Sequence, residues 1–238
     1  MRRVLVSLAD NRNAGSLAAR LRRRRGALFR RLLESVPRPV RLLDLGGTQR
    51  YWEVVEPAGL PGVEIVLLNR DAPEVTRPGF IGVAGDARDL SDIRDGAFDV
   101  VFSNSVIEHV GDLDDQRAMA REIQRVGHRC FVQTPNRYFP LEPHFLFPGF
   151  QFLPVEARAQ LLMRFRLGWY PRIPDPARAR EVAASIRLLT EAELRGLFPG
   201  AAIHHERVAG LTKSLIAAGG WSIWRRGRGG RSGGCAGG

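Results

Sequence analysis

The chain has 238 residues, 44% hydrophobic and 26% charged, which fits one sizeable core with an appendage better than two full domains. No window approaches the ~20 apolar residues of a membrane helix, and two cysteines, Cys130 and Cys235, cannot build a disulfide framework. The formal charge of +11 belongs to two flanks: residues 20–31 carry seven arginines, residues 225–238 carry four, and the body between and around them holds 25 basic and 25 acidic side chains. A neutral body argues against a broad phosphate-binding face.

The start, Met1-Arg2-Arg3 followed by Val4 to Ala9, is too short for a secretory signal, and a cytoplasmic protein is expected. Residues 14–36 read as a helix whose stripe is Leu17, Leu21, Leu28, Leu32 and Leu33, ended by Pro37 and Pro39. Residues 1–36 are therefore set apart as a basic N-terminal helical segment. It either lies solvated over the domain or, with 225–238, touches anionic membrane or RNA.

Five short apolar runs follow: Val40–Leu45, Val63–Leu68, Phe80–Ala84, Phe98–Ser103 and Arg129–Gln133. Helix-compatible stretches lie between them, notably 49–57 and 112–126, the latter with Asp112 as its cap. Strands apolar on both faces, alternating with helices, predict a parallel sheet covered on both sides. Residues 138–170 then gather nine of the chain's 19 aromatic residues, with Pro140, Pro143, Pro148 and Pro154 among them. This stretch reads as a lid with its own core, as a pocket wall, or as both. Residues 155–167 and 177–198 have helical character, with Thr190 and Glu193 as a capping box. Ala201–Glu206 and Lys213–Ala217 read as closing strands, and the glycine-rich tail 225–238 as disordered. The domain proper is 37–224, with 138–180 as the lid or substrate insertion.

Gly46 and Gly47 stand where the first strand meets a helix, a junction that lets backbone approach a ligand closely. The nicotinamide fingerprint G-x-G-x-x-G and the P-loop lysine are absent. Polar residues fall at the other strand ends: Asn69 and Asp71, then Asp86 with Ala87, then Ser103 and Asn104. In a parallel sheet these all face one crevice.

Asp44-Leu45-Gly46-Gly47, Gly85-Asp86-Ala87 and the run Phe98 to Val110 resemble the ordered motifs of class I S-adenosylmethionine-dependent methyltransferases, of the small bacterial, methyltransferase type 11-like kind. Thr134 to Pro140 and Gly210 to Ile216 resemble later segments of the same group. The resemblance implies a Rossmann-like, doubly wound, mostly parallel α/β sheet with an antiparallel closing strand. It also implies S-adenosyl-L-methionine as cofactor. Asp44, Gly46, Gly47 and Thr48 would frame its methionine end, Asn69 and Asp71 its ribose, Asp86 and Ala87 its adenine, and Ser103 and Asn104 the sulfonium. Asn69 stands where the family usually carries a carboxylate, and Gln49 or Arg50 near the place of a third glycine.

The plainer alternatives are Asp44 as a cap for turn N–H groups, Asp86 as the cap of a helix over 87–94, and Asn104 as a self-satisfied turn residue. His144 is the leading base and His109 the second. Asn136, Arg137, Tyr138 and Phe139 are expected to touch the acceptor. The histidines and cysteines show no metal-ligand spacing, so no metal is expected. The expected activity is in-line methyl transfer to a small-molecule or lipid-like acceptor. The rivals are a nicotinamide oxidoreductase, an RNA- or membrane-binding module with a lapsed cofactor site, and a nucleic-acid methyltransferase. Against the last, no N-P-P-F/Y-type tetrapeptide occurs.

Overall fold

A computed structural model describes residues 15–56 and 59–221. The basic start, residues 57–58 and the tail 225–238 with Cys235 lie outside the described residues, as do the expectations placed on them.

Strand β1 (Val40–Leu45) is the centre of the design. Its residues alternate between two apolar layers, as a period of two requires. Val40 and Leu42 join a core with Phe29, Trp52, Phe102 and Phe131, whereas Leu43 and Leu45 join a second core with Met119, Ile123 and Leu194. The first layer is covered by α1 (Leu17–Leu33) and α2 (Gln49–Val55). The second is covered by α3 (Leu113–Val126) and α6 (Glu191–Leu197).

The remaining strands are β2 (Val63–Asn69), β3 (Phe80–Ala84), β4 (Val100–Asn104), β5 (Cys130–Pro135), β8 (Ala202–Val208) and β9 (Leu211–Gly219). They form one seven-stranded sheet in the order β3-β2-β1-β4-β5-β9-β8. Strands β1 to β5 run parallel, and β9 is antiparallel to both β5 and β8. This is the doubly wound, Rossmann-like arrangement with an antiparallel closing pair.

The insertion after β5 folds on itself. A short hairpin, β6 (Leu141–Glu142) and β7 (Phe147–Pro148), precedes α4 (Val155–Arg164) and α5 (Pro176–Ala184). Phe145, Phe150, Leu162, Leu167 and Val182 form a third core within it. The segment returns to the sheet where Arg137 N donates to Leu189 O at 2.9 Å.

The helical stretch 177–198 is two helices: α5 ends at Ala184, an extended piece intervenes, and Thr190 starts α6 with the expected capping box on Glu193. Two expectations change. No helix follows Asp86, because its carboxylate accepts from Arg88 N and Arg88 Nε and so holds a tight turn. The N-terminal helix is not an appendage. Phe29 is packed edge-on to Phe102 and Phe131, with ring centroids at 4.8 and 5.2 Å, and Leu32 and Leu33 are buried beside it.

Because Phe29 anchors α1 to the sheet, Phe29→Ala should destabilise the protein by about 3–5 kcal/mol. A fall in the urea midpoint at unchanged slope is the expected result. Removing residues 1–36 should leave no cooperative transition.

Candidate active site

Leu45 ends β1, and the chain turns through Gly46 at φ +71°. A Cβ on Gly46 would lie 2.5 Å from Val106 Cγ2, and one on Gly47 would lie 1.7 Å from Asp44 Oδ2. Only glycines let this turn pass so close to the carboxylate. Thr48 then caps α2 by accepting from Tyr51 N at 3.2 Å. Asn69 Nδ2 donates to Gly47 O at 2.9 Å and ties the turn to the end of β2. Gln49 closes the far side: its Nε2 donates to Glu53 and Thr76, while its Oε1 accepts from Thr76 N.

Asp44 is buried under this turn. Its Oδ2 accepts from Trp52 Nε1 at 2.7 Å, and its Oδ1 has no partner among the described residues. Burial pushes its pKa up to about 8, against the opposing Trp52 hydrogen bond. A buried, half-satisfied carboxyl beside a close-approach turn is a site shaped for a cationic or hydrogen-donating group.

Two cavities open at the carboxyl edge of the sheet. The first, about 500 Å³, is lined by Asp44, Gly46, Gly47, Thr48, Arg50, Tyr51, Phe102 and Asn104, with Arg22 and Arg23 of α1 above. The second, about 510 Å³, runs under the lid past Phe139, Leu141, Pro143, His144, Leu146 and Trp169, with Lys213 and Arg25 on its polar side. Arg22 and Asn104 line both, so the cavities meet at the end of β4.

Arg25 governs that junction. Its guanidinium grips Glu206 through Nε at 2.9 Å and Nη2 at 2.6 Å, and its Nη1 donates to Gln133 Oε1 at 2.7 Å and to Asn104 Oδ1. Both Arg25 and Glu206 are nearly buried, at 8% and 9% exposure. The two arginines Arg22 and Arg25 thus point into the site rather than to a solvated basic face, and Arg30 is paired with Glu56.

The other expected residues distribute as follows. Asp71 is exposed on the loop beyond β2. Asp86 is clamped by Arg88 at 2.6 Å, and Arg88 also holds Asp115 at 2.9 Å. The Arg88 guanidinium keeps the Asp86 carboxyl below its usual range. Ala87 shares that turn, and Ser103 is fully buried with no Oγ partner among the described residues. Asn104 is not self-satisfied, since its side chain takes Arg25.

Of the four residues expected at the acceptor, only Phe139 lines the cavity. Asn136 instead binds β9 through Thr212 O at 2.9 Å. Arg137 does not line the cavity; its backbone N donates to Leu189 O and its backbone O accepts from Gln151 Nε2. Tyr138 is 68% exposed and stacks on Phe152 outside it. Lys213 and Arg25 line that cavity and Glu142 bonds His144, although no sequence motif gives any of the three a role.

His109 and His144 do meet, edge to face, with ring centroids 4.8 Å apart. Desolvation and the neighbouring His144 push His109 down, to about 4. Desolvation is the largest influence on His144 and would lower it, but the hydrogen bond that Nδ1–H donates to Glu142 Oε1 at 2.7 Å, together with the charges of Glu142 and Glu108, makes the net shift upward. His144 is therefore the stronger base of the two.

A family model described as a methyltransferase domain matches residues 62–129. Two curated relatives, the uncharacterized proteins MT1557 and Rv1509 from two strains of Mycobacterium tuberculosis, are 32% identical over 84 residues, 35% of this chain. The chain spans only 28% of the length of these relatives. Among solved structures, the CurJ carbon methyltransferase superposes with a TM-score of 0.50 at 13% identity, covering 82% of this chain and 53% of that one. A protein from Bordetella parapertussis described as a possible exported protein gives 0.50 at 15%, covering 82% and 66%. A zinc-dependent alcohol dehydrogenase by name, from Rhodobacter sphaeroides, gives 0.50 at 12%, covering 79% and 86%. At these identities the structural likenesses show the fold alone.

Two outcomes follow from the buried charges. Arg25→Met leaves Glu206 unpaired and should cost about 3–5 kcal/mol, most of it recovered by adding Glu206→Met; urea unfolding of the double-mutant cycle reads this. Asp44 has a folded-state pKa near 8, above its unfolded value. Its contribution to stability is therefore complete at low pH and lost as pH rises through about 8. Asp44→Asn should remove that decline, so the difference between the two proteins' urea midpoints should change between about pH 5 and about pH 9.

Proposed function

We propose that this chain, a class I S-adenosylmethionine-dependent methyltransferase by its fold and by the methyltransferase-domain model that matches residues 62–129, transfers a methyl group to a small-molecule or lipid-like acceptor seated under the 138–180 insertion. The observation that carries the reading is the meeting of two cavities at Asn104, one at the glycine turn and one under the lid. A donor and an acceptor held on either side of that point are placed for in-line displacement.

The residues present fit S-adenosyl-L-methionine. Asp44 offers a buried oxygen with no partner among the described residues, and Gly46 and Gly47 leave the turn without side chains. We assign the methionine end to Asp44, Gly46, Gly47 and Thr48, and the sulfonium region to Ser103 and Asn104. Asn69, Asp71, Asp86 and Ala87 take the nucleoside; Asn69 can bond ribose hydroxyls but brings no charge. When bound, the cofactor supplies a methyl group already activated on sulfur. The protein then has to align the acceptor and exclude water.

The acceptor cavity supports a largely apolar molecule with a polar or anionic end. Phe139, Leu141, Leu146 and Trp169 form its wall, and Lys213, Arg25 and Arg22 its polar side. Trp169 is 48% exposed at its margin, and an apolar ring so placed suits entry of a hydrophobic acceptor. His144, oriented by Glu142, faces this cavity and is the group we place beside the acceptor's reacting atom. His109 is the secondary candidate for that place.

A nucleic-acid acceptor has less support. Arg25 and Arg30 are spent on Glu206 and Glu56. No helix among the described residues is long and apolar enough to cross a membrane.

Calorimetric titration with S-adenosylhomocysteine should show one binding event per chain. Gly47→Ala forces a Cβ against Asp44 and should weaken it by about tenfold or more, near 1.4 kcal/mol, with native circular dichroism. A folded wild-type protein that does not bind removes the proposal. Profiling extracts with isotope-labelled methyl donor would identify the acceptor.

A further inference from the structure

Folding assembles a cluster that no sequence spacing announces. After β4 the chain makes one 3-10 turn, Ile107–His109, which places Glu108 inward and His109 outward. The β6–β7 hairpin loop carries His144 to the same place. One ligand atom from each of Glu108, His109 and His144 lies within 4.8 Å of the others. We propose that these three residues bind a divalent first-row transition cation at the margin of the acceptor cavity.

Four observations carry the proposal. Glu108 is fully buried; its Oε2 accepts from Thr134 Oγ1 at 3.1 Å, while its Oε1 has no partner among the described residues. A buried carboxylate oxygen without a donor is costly unless a cation completes it. His144 has Nδ1 engaged by Glu142 Oε1 at 2.7 Å, which leaves Nε2 as the ligand atom. A carboxylate behind an imidazole in this way is how ligating histidines are usually oriented. Glu142 is itself fixed, because its Oε2 accepts from His144 N at 2.7 Å and Phe145 N at 2.6 Å.

The third ligand supplies adjustment. Ligand atoms around such a cation stand roughly 3.4 Å apart. His109 is the exposed member of the three, so a change of its side-chain rotamer can close the remaining distance. Finally, two imidazoles and one carboxylate favour zinc, cobalt or iron over magnesium or calcium, which take all-oxygen shells.

Three protein ligands leave coordination positions open, as catalytic rather than structural sites do. His144 lines the acceptor cavity, so an acceptor bearing a hydroxyl or carboxylate oxygen can fill one of them. This last point rests on the proposed methyl-transfer reading; cation binding itself does not.

The test is titration of chelator-treated full-length protein with Co²⁺, followed by its visible d–d absorption. One saturable equivalent per chain, displaced by Zn²⁺, is expected. His109→Ala changes an exposed residue and should lower the apparent affinity, as should Glu108→Gln. Glu142→Gln should weaken binding by about ten- to a hundredfold. His205→Ala, at the other adjacent histidine pair, should leave it unchanged. Absence of a saturable signal, or binding indifferent to His109→Ala and Glu142→Gln, overturns the proposal. Calorimetry with S-adenosylhomocysteine on the same samples separates the two readings: nucleoside binding without Co²⁺ binding sinks only the cation site, and the reverse sinks only the methyl-donor site.

Discussion

Strands β1 and β4 are neighbours, yet the chain leaves them towards opposite faces of the sheet. After β1 it passes into α2, on the layer of Phe29 and Trp52; after β4 it goes to α3, on the layer of Met119 and Ile123. Neither connection can cover the gap between the strand ends, so a crevice must open there. Asp44 and the glycine turn stand on one side of it, Ser103 and Asn104 on the other. Everything the site does depends on this divergence, which is a property of strand order rather than of any single residue.

The crevice is roofed by α1. A helix that buries Phe29, Leu32 and Leu33 among four aromatic rings cannot be a detachable arm. Arg25 sits one turn before Phe29 and one turn after Leu21, so it lies on the buried stripe and reaches under the edge of the sheet. Its fork joins β4, β5 and β8 through Asn104, Gln133 and Glu206. Such a buried pair is weak evidence for stability but fixes geometry, because breaking it strands a charge. Here it sets the boundary between the two cavities.

The insertion solves a different problem. It covers the second cavity without dissolving into the main core. Phe145, Phe150 and Leu162 give it a core of its own, and Glu142 binds two backbone N–H groups and His144 at once. One buried carboxylate thus holds the hairpin loop and aims its histidine. The aromatic density of 138–170 serves both this internal core and the cavity wall, since Phe139 and Trp169 line the wall while Phe145 and Phe150 do not.

The strands, their parallel order up to β5 and the glycine turn could be read from the sequence. Short continuous apolar runs and glycines at a strand end are local consequences of burial on both faces and of backbone sterics. The arginine run shows the limit of such reading. Seven arginines look alike in sequence, and Arg25 is distinguished only by sharing a face with Leu21 and Phe29. Asn136 likewise looked like a contact for the acceptor, whereas it fastens β5 to β9. Only the tertiary structure could bring Glu108 and His109 to His144, because their approach is set by how the insertion docks after β5. Residue spacing along a chain carries information across a turn of helix or a pair of strands; beyond that, packing decides which side chains share a space.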